Sequence, residues 1–124
     1  MKPETASMNK EMISQGDIWL VDFNPTIGDE IKKIRPAVVI NSDFATGLDL
    51  KIVAPITTWR KDFEKIWWLF KLKPSKQTGL KEDSSANCYQ MRCVSVSRFL
   101  DKLGSCGKDI EEIVATAQNC LEIV

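Results

Sequence analysis

Short apolar runs separated by turn-forming residues cover the chain up to about residue 99, and this pattern predicts β-strands. Each run has the length of a strand and is rich in β-branched or aromatic residues. The runs lie at residues 17–23, 36–40, 50–56, 66–72 and 88–99, the last being one long strand or a bent pair. The polar stretch 24–34 and the turn-rich stretch 74–85 are predicted loops.

The C-terminal segment has a different period. Asp109 and Glu112 have the form of a capping box at its start. We therefore predict a helix from about residue 109 to 123, with its apolar stripe packed on the sheet. The fold is expected to be mainly all-β, a barrel or a strongly bent sheet, with this C-terminal α-helix. The apolar residues that recur at helical spacing are Ile110, Ile113, Val114, Ala117, Leu121 and Val124.

The length of 124 residues suits one compact domain. Residues 1–15 are polar and lack periodicity, which indicates an N-terminal leader, and residues 16–124 form the predicted domain. No apolar run approaches the roughly 18 residues that a membrane span needs. The N-terminus has no apolar core of a signal peptide. We therefore expect no membrane association and a cytoplasmic location.

The chain has four cysteines and no histidine. Cys88, Cys93, Cys106 and Cys120 form no Cys-x-x-Cys pair, so we expect buried, reduced thiols and no metal site. Without histidine, Ser-His-Asp and Cys-His nucleophile systems are excluded. Catalysis must then use carboxylates, arginine, lysine, tyrosine or hydroxyl groups.

The charges balance overall, with 17 basic and 17 acidic residues, which argues against a general nucleic-acid coating protein. Their distribution is uneven. Residues 60–81 hold seven basic and two acidic side chains, whereas residues 1–30 hold two basic and six acidic ones. This pattern predicts either a basic face opposite an acidic one or ordinary solvated lysines at strand edges.

Two segments combine a buried strand with reactive polar groups. Residues 28–36 contain two acids, two lysines and an arginine directly before an apolar strand. In residues 55–60 a predicted strand is followed by two threonines, a tryptophan and an arginine. Here the sequence resembles the MazF/PemK family of toxin ribonucleases, over about residues 16–123. The matching stretches are Gly16 to Pro25, Gly28 to Glu30, Arg35 to Ile40, Ala54 to Thr58, Gly79-Leu80 with Asp83-Ser84, and Gln90 to Arg92.

The resemblance implies an SH3-like barrel that forms a homodimer, with an RNA groove around the dimer interface. It implies a sequence-selective endoribonuclease, an mRNA interferase, that cuts single-stranded RNA through attack of the RNA's own 2′-hydroxyl. The products would be a cyclic phosphate and a 5′-hydroxyl, and no metal or cofactor is needed. It also implies a cognate antitoxin that blocks the groove, and operator DNA bound through the antitoxin complex.

The resemblance assigns the catalytic arginine to Arg35 and the catalytic threonine to Thr57. A guanidinium suits this chemistry because its fork engages two phosphate oxygens as charge develops. Glu30 is a candidate base or, equally, a plain partner of the neighbouring lysines. Lysines bind phosphate without reading sequence, and an exposed tryptophan stacks a base. The candidate RNA-binding residues are Asp29, Lys32, Lys33, Thr58, Trp59 and Gln90.

Alternation in residues 66–72 predicts that Trp67 and Trp68 point to opposite faces, one into the core and the other to a surface.

Two other functions remain open. One is a binding toxin of the same fold, such as a CcdB-like gyrase poison, and the other is a catalytically inactive barrel that holds an antitoxin. The pair Arg35 and Thr57 favours the ribonuclease.

Overall fold

Seven strands and one α-helix follow one another in the part of the chain that the computed structural model describes, residues 12–45 and 47–123. The helix, α1, spans Ile110–Asn119, and short 3₁₀-helices lie at Lys61–Lys65, Val96–Arg98 and Gly107–Asp109. The strands are β1 (Asp17–Asp22), β2 (Ile34–Val39), β3 (Leu50–Thr58), β4 (Leu69–Leu72), β5 (Ser84–Asn87), β6 (Arg92–Ser95) and β7 (Phe99–Ser105).

The strands form one antiparallel sheet in the order β4-β5-β3-β2-β1-β7. The long strand β3 lies at its centre. One edge of β3 pairs with β2, whereas the other pairs with β6 through residues 50–53 and with β5 through residues 56–58. The mainly-β fold with a C-terminal helix is confirmed, and the end of β3 beyond Pro55 pairs with β5.

The strand ladder does not close into a barrel within the described residues. Instead, the loop after β4 packs against β7, and Ser105 N–H donates to the Gln77 carbonyl at 2.8 Å. The backbones meet closely here, since a Cβ added to Gly104 would lie 2.1 Å from that same carbonyl oxygen. The bent sheet is thus completed by a loop, which needs a glycine opposite it.

Two apolar clusters cover the two faces of the sheet, because successive side chains of each strand point to opposite sides. We call the face that packs against α1 the helix face and the other the site face. The helix face has Ile18, Val38, Ala54, Ile56, Leu72, Ala86 and Cys88 with Ile113 and Ala117 of α1. The site face has Trp19, Val21, Ala37, Val39, Val53, Val94 and Phe99.

Several strand boundaries differ from the prediction. The run at 66–72 forms a strand only from Leu69, since residues 61–65 form a 3₁₀-helix and residues 67–68 a turn. Trp67 is exposed and Trp68 half-buried, so the prediction that one of them fills the core is wrong. Aromatic content favours strands, but here the rings pack on each other at the surface.

The predicted strand at 36–40 begins earlier, at Ile34, and Pro36 lies inside it opposite Leu20. The predicted loop 74–85 includes the start of β5 at Ser84. The run at 88–99 is a bent pair, as one of the two alternatives proposed. The second member, β7, extends to Ser105, beyond the predicted end, because it pairs with β1 from Phe99 to Ser105 although Leu100, Asp101 and Lys102 are exposed.

Helix α1 is shorter than predicted, and the capping box is wrong. Asp109 makes no side-chain capping bond, and its backbone is already helical at φ −64° and ψ −15°. The reason is the 3₁₀-turn Gly107–Asp109, which runs directly into α1. A capping side chain needs an extended backbone at its own residue, and this turn removes that geometry.

Residues 1–11 of the predicted leader lie outside the described residues. The part that is described packs on the sheet. Ile13 is buried in the site-face cluster, and the backbone N–H of Gln15 donates to Asp43 at 2.7 Å. Among the described residues, no helix is long and apolar enough to cross a membrane.

The four cysteines are unpaired, and their burial differs. Cys88 and Cys106 are buried as predicted, and Cys120 is half-buried. Cys93 is exposed, so the expectation is wrong there, because its position on β6 faces solvent. Burial raises the pKa of the Cys88 thiol to about 12 and that of Cys106 to about 11. No group of three potential metal ligands occurs within residues 12–45 and 47–123.

Candidate active site

Thr57 lies near the end of β3 on the site face, and its hydroxyl meets a second hydroxyl across the sheet. Oγ1 of Thr57 is 3.3 Å from Oγ of Ser85, the residue opposite it on β5. Ser85 is fully buried, and Lys71 of β4 lies opposite it in turn. A buried serine thus orients the half-buried threonine and leaves it able to make a further hydrogen bond.

Arg35 lies near the start of β2 and is half-buried. Ala37 and Pro55 form the last pair of the β2–β3 ladder at this end, and Arg35 and Thr57 each lie two residues beyond that pair on the site face. The Nε–H of Arg35 donates to the Lys32 carbonyl at 3.1 Å. Its two Nη groups have no protein partner within the described residues. The guanidinium is therefore oriented by one bond while its fork stays available for an anion.

The loop between β1 and β2, residues 23–33, carries Glu30. Oε1 of Glu30 accepts a hydrogen bond from Ile27 N–H at 2.6 Å and so closes a turn in the loop. The second carboxylate oxygen has no partner in the part of the chain that the structure describes. Lys32 and Lys33 are exposed on the same loop, and Lys33 has a φ of 73°. The predicted base is thus solvent-accessible and shares its loop with two cations.

Gln90 holds this loop from across the sheet. Its Oε1 accepts from Ile31 N–H at 2.7 Å, and its Nε2 donates to the Asp29 carbonyl at 3.3 Å. Both ends of the amide are therefore bonded to the loop backbone on either side of Glu30. Gln90 was selected from the sequence as an RNA-binding residue, and the structure places it as an anchor for the loop that carries Glu30.

Two arginines that sequence reasoning missed fix the start of the same loop. Arg92 Nη1 donates to the Phe23 carbonyl at 3.5 Å, and its guanidinium lies 5.7 Å from the centre of the Phe23 ring. Arg98 donates to the carbonyls of Asp22 and Asn24. These acceptors are backbone atoms, which every residue has, so no residue type in the loop signals the contact.

A cleft of about 430 Å³ lies between the loop and the segment before β6. Residues 29–31 form one wall, residues 89–92 form the other, and Pro55 of β3 lies between them. Pro55 is two residues before Thr57 on the same face of the sheet. The cleft therefore reaches the part of β3 that leads to Thr57.

The remaining predicted RNA-binding residues follow Thr57 and are engaged within the protein. Thr58 points to the other face of β3, and its Oγ1 donates to Glu82 at 2.6 Å. Lys71 Nζ lies 5.1 Å from the centre of the Trp59 ring, and the Phe63 ring meets the Trp59 ring edge-on at 5.7 Å. One face and one edge of Trp59 are thus occupied.

A second aromatic cluster adjoins the cleft. The Trp67 and Trp68 rings lie 5.4 Å apart and are perpendicular, and Trp68 lies 5.7 Å from the Tyr89 ring. Tyr89 is also part of the cleft wall. The Cys88 N–H donates to the Trp68 carbonyl at 3.0 Å, which joins the two segments. The sequence had suggested either tryptophan as a surface residue, but Tyr89 was not among the candidates.

The sequence of the chain matches a known family. Residues 14–121 match the PemK-like, MazF-like toxin of type II toxin–antitoxin systems. The chain belongs to this family. The match runs from the segment before β1 to the end of α1, and the resemblance seen in the short sequence stretches is confirmed.

Known relatives of this MazF-like chain agree in sequence and fold. It is 31% identical over 99 residues to Endoribonuclease MazF9 of Mycobacterium tuberculosis, covering 75% of this chain and 81% of the relative. The crystal structure of MazF from Deinococcus radiodurans superposes with a TM-score of 0.73 at 20% identity, over 89% and 96% of the two chains. A mycobacterial endoribonuclease in complex with its cognate antitoxin gives 0.66 at 14% identity, over 87% and 93%. The two structures share the fold.

The predicted site residues of this MazF-like chain fall into three groups. Arg35 near the start of β2 and Thr57 near the end of β3 lie just beyond the last pair of the ladder between these strands. The residues at the cleft are Asp29, Glu30 and Gln90, with Lys32 and Lys33 further along the loop. Thr58 and Trp59 lie beyond Thr57 and contact Glu82 and Lys71 instead of facing the cleft.

Proposed function

We propose that this chain is a sequence-selective endoribonuclease toxin that cuts single-stranded mRNA without a metal. The observation that carries the proposal is Thr57 held by the buried Ser85, two residues from Pro55 in the wall of an open cleft, with Arg35 just beyond the last β2–β3 pair on the same face. Family membership and the MazF9 relative support the reaction class. The absence of histidine from the sequence fits a reaction whose nucleophile belongs to the substrate.

In the proposed reaction, the 2′-hydroxyl oxygen of the RNA attacks the adjacent phosphorus, and the bond to the 5′-oxygen of the next nucleotide breaks. The nucleophile loses a proton and the leaving oxygen gains one. The products are a 2′,3′-cyclic phosphate and a 5′-hydroxyl. No protein nucleophile is needed, so the chain must position the phosphate and stabilise its developing charge.

Arg35 is proposed to bind two non-bridging phosphate oxygens through its Nη groups. Its Nε bond to the Lys32 carbonyl fixes the plane of the guanidinium before substrate arrives. Thr57 is proposed to donate to a phosphate oxygen, with its orientation set by Ser85. These donors stabilise the negative charge of the pentacoordinate transition state more than that of the ground state.

Glu30 is proposed to take the proton from the 2′-hydroxyl. It is exposed at the cleft, and one carboxylate oxygen is already held by Ile27 N–H, which leaves the other to accept. Lys32 and Lys33 on the same loop are proposed to bind flanking phosphates. Their contribution is independent of sequence and weakens with salt.

The proposed biological setting is the cytoplasm, where the toxin acts as a homodimer and is neutralised by a cognate antitoxin. The complex with the antitoxin is in turn proposed to bind operator DNA. One structural relative is an endoribonuclease bound to its cognate antitoxin, which supports the antitoxin as a partner.

Incubation of the purified protein with a long unstructured RNA in EDTA tests the proposal. We expect cleavage at a recurrent motif, with cyclic phosphate and 5′-hydroxyl ends, and no cleavage of DNA of the same sequence, which lacks the 2′-hydroxyl. Cleavage that stops in EDTA and returns with magnesium would contradict the mechanism. If intact RNA survives in all conditions, a gyrase-poisoning or inactive antitoxin-binding role takes its place.

A further inference from the structure

Three aromatic rings form an exposed platform next to the cleft. We define the aromatic platform as Trp67, Trp68 and Tyr89. Trp67 is 57% exposed and Tyr89 is 66% exposed, whereas Trp68 between them is half-buried. Trp68 contacts the rings of both Trp67 and Tyr89 and therefore connects the two exposed rings.

The backbone fixes the platform to the sheet. The β4–β5 ladder pairs Leu69 with Asn87, and the Cys88 N–H then donates to the Trp68 carbonyl at 3.0 Å. The tryptophans and Tyr89 are therefore carried by the ends of paired strands. Since Cys88 is itself fully buried, the backbone that carries the exposed rings is attached to the core of the sheet.

The platform is continuous with the candidate active site. Tyr89 belongs to both, because it lines the cleft together with Arg92 and Glu30. A nucleotide chain in the cleft would therefore meet the Tyr89 ring as it leaves. Trp67 also lies within the basic segment 60–81, which contains seven basic and two acidic residues. Flat aromatic faces interleaved with cations suit a chain of bases and phosphates.

We propose that Trp67 and Tyr89 stack bases of single-stranded RNA that flank the cleavage position. The proposal rests on the ribonuclease function stated above and adds a subsite for unpaired bases to it. Stacking engages the π-face of any base, so this subsite contributes affinity and path rather than strict sequence choice.

The contrast with Trp59 favours this placement. Lys71 covers one face of the Trp59 ring and Phe63 meets its edge, so a base would have to displace these groups. Trp67 and Tyr89 each touch only Trp68 among the ring contacts of the described residues. Their open faces require no such displacement.

RNA cleavage and binding by two pairs of variants test the proposal. Tyr89→Leu keeps an apolar side chain but removes the π-face, whereas Tyr89→Phe keeps it. Trp67→Leu and Trp67→Phe form the second pair. Phe44→Leu is the control, since Phe44 is 96% exposed and follows the opposite end of β2 from Arg35. We expect each leucine variant of the platform to raise KM about tenfold, with kcat kept, and the phenylalanine variants to restore it.

An abasic scan of the RNA makes the test specific. A non-cleavable RNA with a 2′-O-methyl group at the cut position carries one abasic nucleotide at each flanking position in turn. At the position that stacks on a given ring, the abasic substitution and the leucine variant should weaken binding by the same factor and not add to each other. At other positions the two losses should multiply.

Several results would overturn the proposal. Wild-type KM and binding in both leucine variants would exclude stacking, and so would losses that multiply at every abasic position. A leucine variant that dissociates a homodimer in sedimentation, or loses antitoxin binding but binds RNA normally, would assign the platform to a protein interface. Failure of the ribonuclease function itself would appear separately, as intact RNA with the wild-type protein.

Discussion

The helix face and the site face are built from the same strands, but the two faces have different roles. On the helix face, Ile113 and Ala117 of α1 are buried in the apolar cluster together with residues of the sheet. On the site face, the apolar cluster ends where Arg35 and Thr57 begin, at the ends of β2 and β3. Alternation along a strand thus supplies core residues on the helix face and candidate site residues on the site face.

The two faces also differ in the contacts that hold them. The helix face depends on apolar packing between neighbouring elements. The β1–β2 loop of the site face depends on hydrogen bonds from Gln90, Arg92 and Arg98 to backbone atoms 59 to 76 residues away. Packing sets stability on the helix face, whereas a few polar contacts set geometry on the site face. Substitutions on the two faces should therefore separate activity from stability.

Arg35→Ala should have the largest effect and should act on activity alone. Loss of a preorganised donor to the transition state costs about 10²–10³ in rate, and more if the residue also places the phosphate. Single-turnover cleavage with saturating RNA measures the loss, and a thermal melt should stay close to wild type because Arg35 is only half-buried. Arg35→Lys should recover little, since a point charge cannot replace the fork.

A near-wild-type cleavage rate for Arg35→Ala would place the catalytic centre elsewhere. A large drop in melting temperature would instead make Arg35 part of the fold, and the separation between the two faces would fail at its most important residue.

Ile113→Ala should show the opposite behaviour on the helix face. Ile113 is fully buried in the cluster between α1 and the sheet, and its truncation should lower the free energy of unfolding by about 2–4 kcal/mol. Denaturant titration measures this, with Gln118→Ala on the exposed side of α1 as the matched control. The folded fraction should keep its cleavage rate, and a specific loss of kcat would show that the helix face also shapes the site.

Gln90→Met should have the smallest of the three effects. Methionine has a similar length but cannot bond Ile31 or Asp29, so the loop that carries Glu30 loses its anchor. We expect about a thirtyfold lower cleavage rate at saturating RNA, from two hydrogen bonds of about 1 kcal/mol each. Faster hydrogen exchange of the Ile31 amide in the RNA-free protein should accompany it.

The matched control for this change is Gln118→Met on α1, which should alter neither measurement. If Gln90→Met changes the cleavage motif while Ile31 exchange stays slow, Gln90 reads a base and is not an anchor.

Much of the architecture was readable from local pattern. The β1, β2 and β3 regions and α1 were predicted, and the bent pair after residue 88 was one of two alternatives, because apolar periodicity depends on neighbours along the chain. The predicted element boundaries were wrong where tertiary contacts overrode a local sequence preference. The 3₁₀-turn before α1 removes the capping geometry of Asp109, and Trp68 lies in a turn between the rings of Trp67 and Tyr89 instead of in the predicted strand.

The sequence by itself determined the fold class and the family, since these follow from apolar periodicity and from motif blocks in a fixed order. The roles of Arg35 and Thr57 are what the family resemblance implies, and they stay predictions. Only the tertiary structure decided which face each residue serves and what holds the loop. Thr57 and Thr58 look equivalent in sequence, but one meets Ser85 on the site face and the other Glu82. The anchors of the loop bind backbone carbonyls and amides, which carry no residue-type signal, and they reach across dozens of residues that only folding brings together.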